Sequence, residues 1–176
     1  MIAINKSKPK IKILTKKFFN KKYLSWLNSK KIRENIDLKK KITLKDIKEF
    51  YKKNRNEGNK LYGIFYSNRH IGNINIKFLG NRKCYIGYII GEKKFQSKGI
   101  ATYSVNLASK KCFVKYNANE IFSNSQQRNT SSIRVLEKNN FKLLRKRPKY
   151  FHKYVKRNIK VNYYLLRLKN FKRLNF

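Results

Sequence analysis

The sequence predicts an α+β protein in which helices flank a mixed, mainly antiparallel central sheet. Helix-like apolar spacing dominates the first 55 of its 176 residues, three β-like segments follow up to residue 90, and strand and helix patterns then alternate. The length and the 40% hydrophobic content suit one core. We therefore expect a single domain over residues 1–176.

The first elements are a short strand and two helices. A strand is predicted at Lys10–Leu14, and aromatic and leucine residues recur at helical spacing from Phe18 to Asn28. A second helix opens at Thr43, where the threonine hydroxyl and Asp46 can form a capping box. We expect this helix to end near Asn54.

Three strands in sequence predict an antiparallel meander. LYGIFY (61–66) and IGNINIKF (71–78) flank the polar tip SNRH, and CYIGYII (84–90) follows the turn LGNRK. His70 belongs to the predicted tip. We therefore expect this histidine to be a solvated turn residue.

The second half predicts a strand-helix-strand crossover inside the sheet. A helix over Ile100–Tyr116 follows the third meander strand, and a short strand, EIFS, is predicted at Glu120–Ser123. A helix near Ser131–Asn139, a strand at FKLL (141–144), a basic loop and the strand VNYYLLRL (161–168) complete the chain.

The net charge and the cysteines restrict the range of possible functions only loosely. The net charge of +38 favours nucleic acid, anionic membranes or phosphate-bearing ligands, but abundant Lys and Asn also reflect codon bias. Cys84 and Cys112 lack the spacing and partners of a zinc site, so we expect two reduced, buried thiols and no metal. Without an apolar leader or a spanning segment, we expect a cytoplasmic protein.

The stretch QSKGIAT, Gln96–Thr102, lies between the third meander strand and the next helix. A helix N-terminus exposes unpaired amides and attracts anions. Gly99 and the small Ala101 would let a ligand approach these amides, and Lys98 adds positive charge. The alternative is an ordinary turn, since neither GxxxxGK[ST] nor GxGxxG is present.

Two motifs carry a family resemblance. GYIIGEKKFQSKGIAT resembles the acyl-CoA signature Q/R-x-x-G-x-G/A of the GNAT superfamily of N-acetyltransferases, with Gln96, Gly99 and Ala101 in its defining places. NTSSIRVLEKNNF resembles the second signature of the ribosomal-protein (Rim-type) branch, beginning at Asn129. The likeness extends over roughly residues 11–168.

The resemblance implies acetyl-CoA as co-substrate and a GNAT-like fold. Pantetheine would lie between the strand around Tyr88–Gly91 and the strand EIFSNS, which part in the family. Amides of the QSKGIAT loop would bind the pyrophosphate, and a backbone N–H near Ile90 would polarise the acyl carbonyl. The implied cofactor residues are Ile89, Ile90, Gly91, Gln96, Ser97, Lys98, Gly99, Ile100, Ala101, Thr102, Asn129 and Ser132.

The resemblance also implies direct transfer of the acetyl group to an amine. Leu136 stands where many relatives carry a proton-donating tyrosine. Rim-type relatives also have leucine there, and the resemblance to them implies that the serine of N-x-x-S, here Ser132, is the candidate proton donor; the alternative is a hydroxyl that only caps the helix. The usual base, a glutamate, is replaced by Tyr85, a phenol with an ordinary pKa of about 10. Glu92, His70, a water chain or an amine that arrives neutral remain open.

The acceptor is the least determined part of the function. The resemblance places Trp26 and Asn28 in the helix before the acceptor site, and we assign them with Tyr85 to substrate binding. A small-molecule amine, in particular a nucleotide-linked amino-sugar, is favoured because few carboxylates are present to bind a polycation. A protein N-terminal amine is the alternative, and a homodimer is compatible with the sequence.

A rival function of another class rests on RKRPKYFHKYVKR (145–157), where basic and aromatic residues alternate. This composition is typical of phosphate contacts combined with base stacking. It would fit a catalytically inactive RNA- or ribosome-binding protein. A solvated loop is the simpler interpretation, so we do not expect a nucleic-acid partner.

Overall fold

The computed structural model describes residues 8–36, 38, 40–146, 150–152 and 157–174. Its helices and strands follow in chain order: β1 (Lys10–Ile13), α1 (Lys21–Asn28), α2 (Lys30–Ile36), α3 (Leu44–Asn56), β2 (Lys60–Tyr66), β3 (Arg69–Phe78), β4 (Lys83–Ile90), α4 (Ile100–Lys110), β5 (Glu120–Gln126), α5 (Thr130–Lys138), β6 (Lys142–Lys146), β7 (Tyr150–His152), β8 (Arg157–Ile159) and β9 (Val161–Arg167).

Seven strands form one mixed sheet in the order β1-β2-β3-β4-β5-β9-β6, and β7 and β8 form a separate hairpin. Every neighbouring pair in the large sheet is antiparallel except β4 and β5, which are parallel and are connected through α4. The predicted α+β class, the meander and the internal crossover are confirmed.

The sheet buries a different helix layer on each face, as the alternation of side chains along a strand requires. Ile74 and Ile86 belong to one apolar cluster with residues of α4 and α5. Leu61 belongs to a second cluster with residues of α1, α2 and α3. Cys84 and Cys112 are free and buried in the first cluster, as predicted.

The main differences from the sequence-based prediction are a later start of the first helix, α1, and an additional helix, α2. The helix predicted from Phe18 begins instead at Lys21, because the side chain of Asn20 caps it by accepting a hydrogen bond from Tyr23 N at 3.0 Å. A separate helix, α2, then follows after Ser29. Its sequence KKIRENI buries only one apolar side chain, Ile32, and therefore shows no apolar stripe.

The hairpin tip is shorter than predicted, and the prediction of a solvated His70 is wrong. Ser67 and Asn68 both have positive φ, +46° and +59°, so two residues turn the chain and β3 starts at Arg69. His70 lies among aromatic rings, 5.0 Å from that of Trp26. Its Nε2 is 2.9 Å from Asn73 Oδ1, and burial lowers its pKa.

Other helix and strand ends move by a few residues. The helix predicted to reach Tyr116 ends at Lys110 as α4 and continues as a π-helical turn at Lys111–Lys115. β5 is longer than predicted and extends to Gln126. This extension matters for the site, because it continues past the point where β5 leaves β4.

Leu136 tests the core beneath α5. It is completely buried, so Leu136→Ala should lower the free energy of unfolding by about 2–5 kcal/mol through lost apolar burial and a cavity. Leu143→Ala is the matched control, because Leu143 is 49% exposed. Urea denaturation of both variants checks this; similar losses would contradict the packing described.

Candidate active site

A cleft opens where β4 and β5 separate. The two strands pair over only three positions, from Lys83 opposite Glu120 to Tyr85 opposite Phe122. At the fork, Ser123 Oγ donates a hydrogen bond of 2.8 Å to Ile86 O. Beyond it the strands part around a cleft of about 800 Å³ whose walls also include residues of α2, α5 and β9.

The cleft edge of β4 presents unpaired backbone groups. Gly91 N donates to Ile71 O at 2.8 Å, so its N–H faces β3. Because N–H groups alternate in direction along an antiparallel strand, those of Tyr88 and Ile90 face the cleft. The structure thus supports the predicted position of the Ile90 amide at the gap.

The QSKGIAT loop closes one end of the cleft with free amides. Gly99 caps α4 in the left-handed region, with φ of +74°, and Ser97 is also left-handed at +59°. Within the described part of the chain, no acceptor is found for the amides of residues 97–102. Gln96 Nε2 donates to Ile90 O at 2.9 Å and ties the loop to the end of β4.

The N-terminus of α5 forms the opposite wall. Asn129 caps the helix: its Oδ1 accepts from Ser132 N at 3.3 Å and from Ser131 Oγ at 2.9 Å. The Ser132 hydroxyl is therefore not the cap. Its Oγ lies instead 2.9 Å from the hydroxyl of Tyr88 on β4.

Tyr85 lies on the cleft wall near the fork. Its hydroxyl donates to Asn124 Oδ1 at 3.1 Å. Burial, assisted by nearby Tyr163, raises the pKa of Tyr85 to about 12. The phenol consequently stays protonated at neutral pH and can orient a ligand by hydrogen bonding, but it is a poor proton acceptor.

Several predicted site residues lie beside the cleft rather than on its wall. Glu92 forms an ion pair of 2.6 Å with Lys22, and His70 lies in the aromatic cluster described above. Trp26 packs its ring against Gly91, where a Cβ would collide with the indole. Asn28 exchanges two 2.8 Å hydrogen bonds with the backbone of Ile42. The substrate-binding role of Trp26 and Asn28 stays a prediction.

Most of the predicted cofactor residues do line the cleft. These are Ile89, Ile90, Gln96, Ser97, Gly99, Ala101, Thr102, Asn129 and Ser132. The side chain of Ile100 is instead buried in the core, and Lys98 and Gly91 lie next to lining residues. Ile100 and Gly91 can therefore offer only backbone groups to a ligand, and Lys98 can offer its amide and its positive charge.

Further side chains line the cleft without having been assigned a role from the sequence. Tyr88 and Asn124 belong to the two strands expected to hold pantetheine, whereas Tyr163 of β9 and Lys31 and Asn35 of α2 come from elements outside the predicted site. On α5, Arg134 and Lys138 add two cations, one helical turn apart. The alternation CYIGYII places Tyr88 two residues from Ile86 on the same strand face, but no local signal identifies its partner.

These features can now be compared with known proteins. A family model described as an acetyltransferase (GNAT) domain matches residues 19–142. The chain belongs to the GNAT acetyltransferase family. It is thus an acetyl-CoA-dependent N-acetyltransferase. Among curated proteins, no sequence matches significantly.

Solved structures support the fold of this GNAT chain. RimL, a ribosomal alpha-N-protein acetyltransferase in complex with coenzyme A, superposes with a TM-score of 0.80 at 18% identity, covering 93% of this chain and 96% of RimL. Spermidine N-acetyltransferase from Vibrio cholerae, with CoA and spermine, gives 0.79 at 15% identity, covering 93% and 97%. The aminoglycoside acetyltransferase AAC(6')-Ib, with coenzyme A, gives 0.75 at 18%, covering 94% and 98%.

The residues present fit acetyl-CoA. Free amides at the start of α4 suit a diphosphate, and unpaired strand amides suit the amide-containing pantetheine arm. Among the residues described, no cluster of three or more His, Cys, Asp or Glu could hold a metal ion. Within the same ranges, no helix has the length and apolar character needed to cross a bilayer.

None of the described residues of the basic segment 145–157 is among those that line the cleft. Residues 147–149 and 153–156 lie outside the described residues, and β7 and β8 account for only part of the remainder. The rival RNA-binding interpretation, which rests on this segment, therefore gains no structural support here.

Asn129 tests the geometry of the α5 wall. Asn129→Ala should lower the free energy of unfolding by about 1 kcal/mol, because two donors lose their acceptor. Asn129→Asp retains a capping oxygen and should unfold like the parent protein. Urea denaturation distinguishes them; equal stability of all three proteins would show that Asn129 is not the effective cap.

Proposed function

We propose that this acetyltransferase acylates the primary amine of a nucleotide-linked amino-sugar. The observation that carries the proposal is the charge of the cleft. Lys31, Arg134 and Lys138 line it, whereas none of the described lining residues is acidic. A nucleotide sugar brings a diphosphate that cations attract, and its amino group needs no carboxylate for binding.

The substrates named for two structural neighbours suit this cleft less well. Spermine and aminoglycosides are polycations, and electrostatic complementarity requires acidic side chains around them. Two acidic groups that lie close in sequence to lining residues are paired with cations: Glu34 lies 3.5 Å from Arg128, and Glu92 is paired with Lys22. A polycation would therefore meet repulsion from the lining cations.

Acetyl-CoA supplies the acetyl group as an activated thioester. In our proposal, the amides of Lys98, Gly99, Ile100 and Ala101 hold its diphosphate, and the amide of Ile90 polarises the acyl carbonyl. Gln96 and Asn129 hold the loops on either side of the cleft.

The remaining roles concern protons. We assign Ser132 to the departing thiol, since its hydroxyl is not used for capping, and Tyr85 to orienting the acceptor, since its phenol stays neutral. Glu92 and His70 do not reach the cleft wall, so the amine loses its proton to water or arrives neutral.

A protein N-terminal amine is the second candidate acceptor. The observation that favours it is the Rim-type sequence NTSSIRVLEK, which builds the α5 wall around Asn129 and Ser132. An α-amino group has a pKa near 8 and is partly neutral at pH 7.5. An N-terminal amine therefore needs little help from an enzymatic base.

An acceptor panel tests the proposed function. Thiol release from acetyl-CoA should be faster with UDP-amino-sugars than with N-terminal peptides, and slowest with spermidine. The matched control is the free amino-sugar without its nucleotide. Its KM should be tenfold or more above that of the UDP-amino-sugar, because the diphosphate contact is lost. A preference for spermidine would contradict the proposal, and a preference for peptides would select the second candidate.

Two substitutions of Gly99 that differ only in charge test whether the amides at the start of α4 bind the diphosphate. Asp and Asn both tolerate the left-handed backbone of Gly99, so Gly99→Asp and Gly99→Asn should have similar stability. The Asp variant should bind CoA at least about tenfold more weakly than the Asn variant, through repulsion of the diphosphate. Calorimetric titration measures this; equal affinities would place the diphosphate elsewhere.

A further inference from the structure

Tyr88 and Ser132 form a polar contact between the two sides of the cleft. The Tyr88 hydroxyl lies 2.9 Å from Ser132 Oγ and donates to Ser132 O at 3.1 Å. Tyr88 belongs to β4 and Ser132 to the first turn of α5, 44 residues later. Both residues line the cleft, and the Tyr88 amide also faces it.

The single phenolic proton allows two arrangements. When Tyr88 donates to Ser132 O, the 2.9 Å hydrogen bond between the two hydroxyls must be donated by Ser132, so the serine proton points toward Tyr88. When Tyr88 donates to Ser132 Oγ instead, the Ser132 hydroxyl is free to donate a hydrogen bond to an acceptor in the cleft. An acceptor that appears in the cleft therefore selects the second arrangement.

We propose that Tyr88 is a positioning residue whose phenol orients the Ser132 hydroxyl to donate a hydrogen bond to the sulfur of coenzyme A. This inference rests on the role that the proposed function gives to Ser132. It adds a residue, on a different element, through which that role depends on the β4 strand.

The proton balance follows from this arrangement. As the carbon–nitrogen bond forms and the carbon–sulfur bond breaks, Ser132 donates its hydrogen bond to the departing sulfur and keeps its own proton, while Tyr88 keeps its hydrogen bond on Oγ. The proton released by the attacking nitrogen, carried by water, then protonates the thiolate. Because burial raises the pKa of Tyr88 well above its ordinary value, the phenol holds its proton throughout.

Other titratable and charged groups surround this pair. Tyr85 on β4 and Tyr164 on β9 are the nearest phenols. The cations on the cleft wall are Lys31 of α2 and Arg134 and Lys138 of α5. Any test that varies pH must separate their effects from that of the sulfur.

Binding of CoA and of desulfo-CoA between pH 6.5 and 9.5 provides this separation. A cysteine thiol, the reference for the thiol of CoA, has an ordinary pKa of about 8.5, and a hydrogen bond donated to the thiolate lowers the pKa of the bound thiol. The CoA affinity of the parent protein should therefore rise about tenfold relative to desulfo-CoA as the pH increases through that window. Desulfo-CoA lacks the thiol but experiences the same cations.

Variants then locate the donor. Tyr88→Phe should lose most of the tenfold rise, Ser132→Ala should lose all of it, and the double variant should behave like Ser132→Ala. The matched control is Tyr62→Phe. It removes another buried phenol hydroxyl, which lies 2.5 Å from that of Tyr116 and outside the cleft, and should keep the full rise.

Three results would overturn the inference. These are an unchanged rise in Tyr88→Phe, an equal loss of affinity for both ligands in that variant, and no difference between the two ligands in the parent protein. The measurement needs no acceptor amine. A failure of every amine in the panel would therefore contradict the proposed acceptor without affecting this result.

Discussion

The short parallel pairing of β4 and β5 is the constraint on which the rest of the structure depends. Parallel strands normally continue their ladder, yet here the pairing stops after Tyr85 and Phe122. Ser123 fixes the fork by donating to Ile86 O, after which the strands diverge. Backbone groups beyond the fork are left without a partner strand. A cleft at this position is therefore a consequence of the sheet itself.

Two sets of unpaired amides meet at this cleft. One belongs to the open edge of β4, and the other to the first turn of α4, where Gly99 takes a left-handed conformation. Unpaired backbone donors are costly when buried and are satisfied by water or by ligand. A ligand with an anionic group at one end and an extended amide chain can satisfy both sets. Coenzyme A has this form, so binding of the co-substrate in this cleft, as we propose, would complete hydrogen bonding that the fold leaves open.

Local patterns in the sequence predicted the meander, the crossover and the QSKGIAT loop, because each depends on residues close together in the chain. Contacts between distant residues were not predictable in this way. His70 appeared solvated because its aromatic neighbours come from other elements. Likewise, any of the four polar residues NTSS could cap α5, and only the structure shows that Asn129 caps the helix while Ser132 contacts Tyr88. Local motifs therefore predicted where the cleft lies, whereas tertiary packing determined which side chains line it.

The helix α2 shows how a segment with little apolar signal can still shape the site. Lys31 Nζ contacts Gln96 Oε1 at 3.3 Å on one side of the cleft. On the other side, Glu34 O accepts from Gln126 Nε2, and the Glu34 carboxylate is paired with Arg128. The Glu34–Arg128 ion pair is partly solvated and adds little stability, so its main effect is on position and charge. Glu34 is paired with Arg128, and the described residues that α2 contributes to the cleft wall include Lys31 but no carboxylate. This charge agrees with the anionic acceptor that we propose.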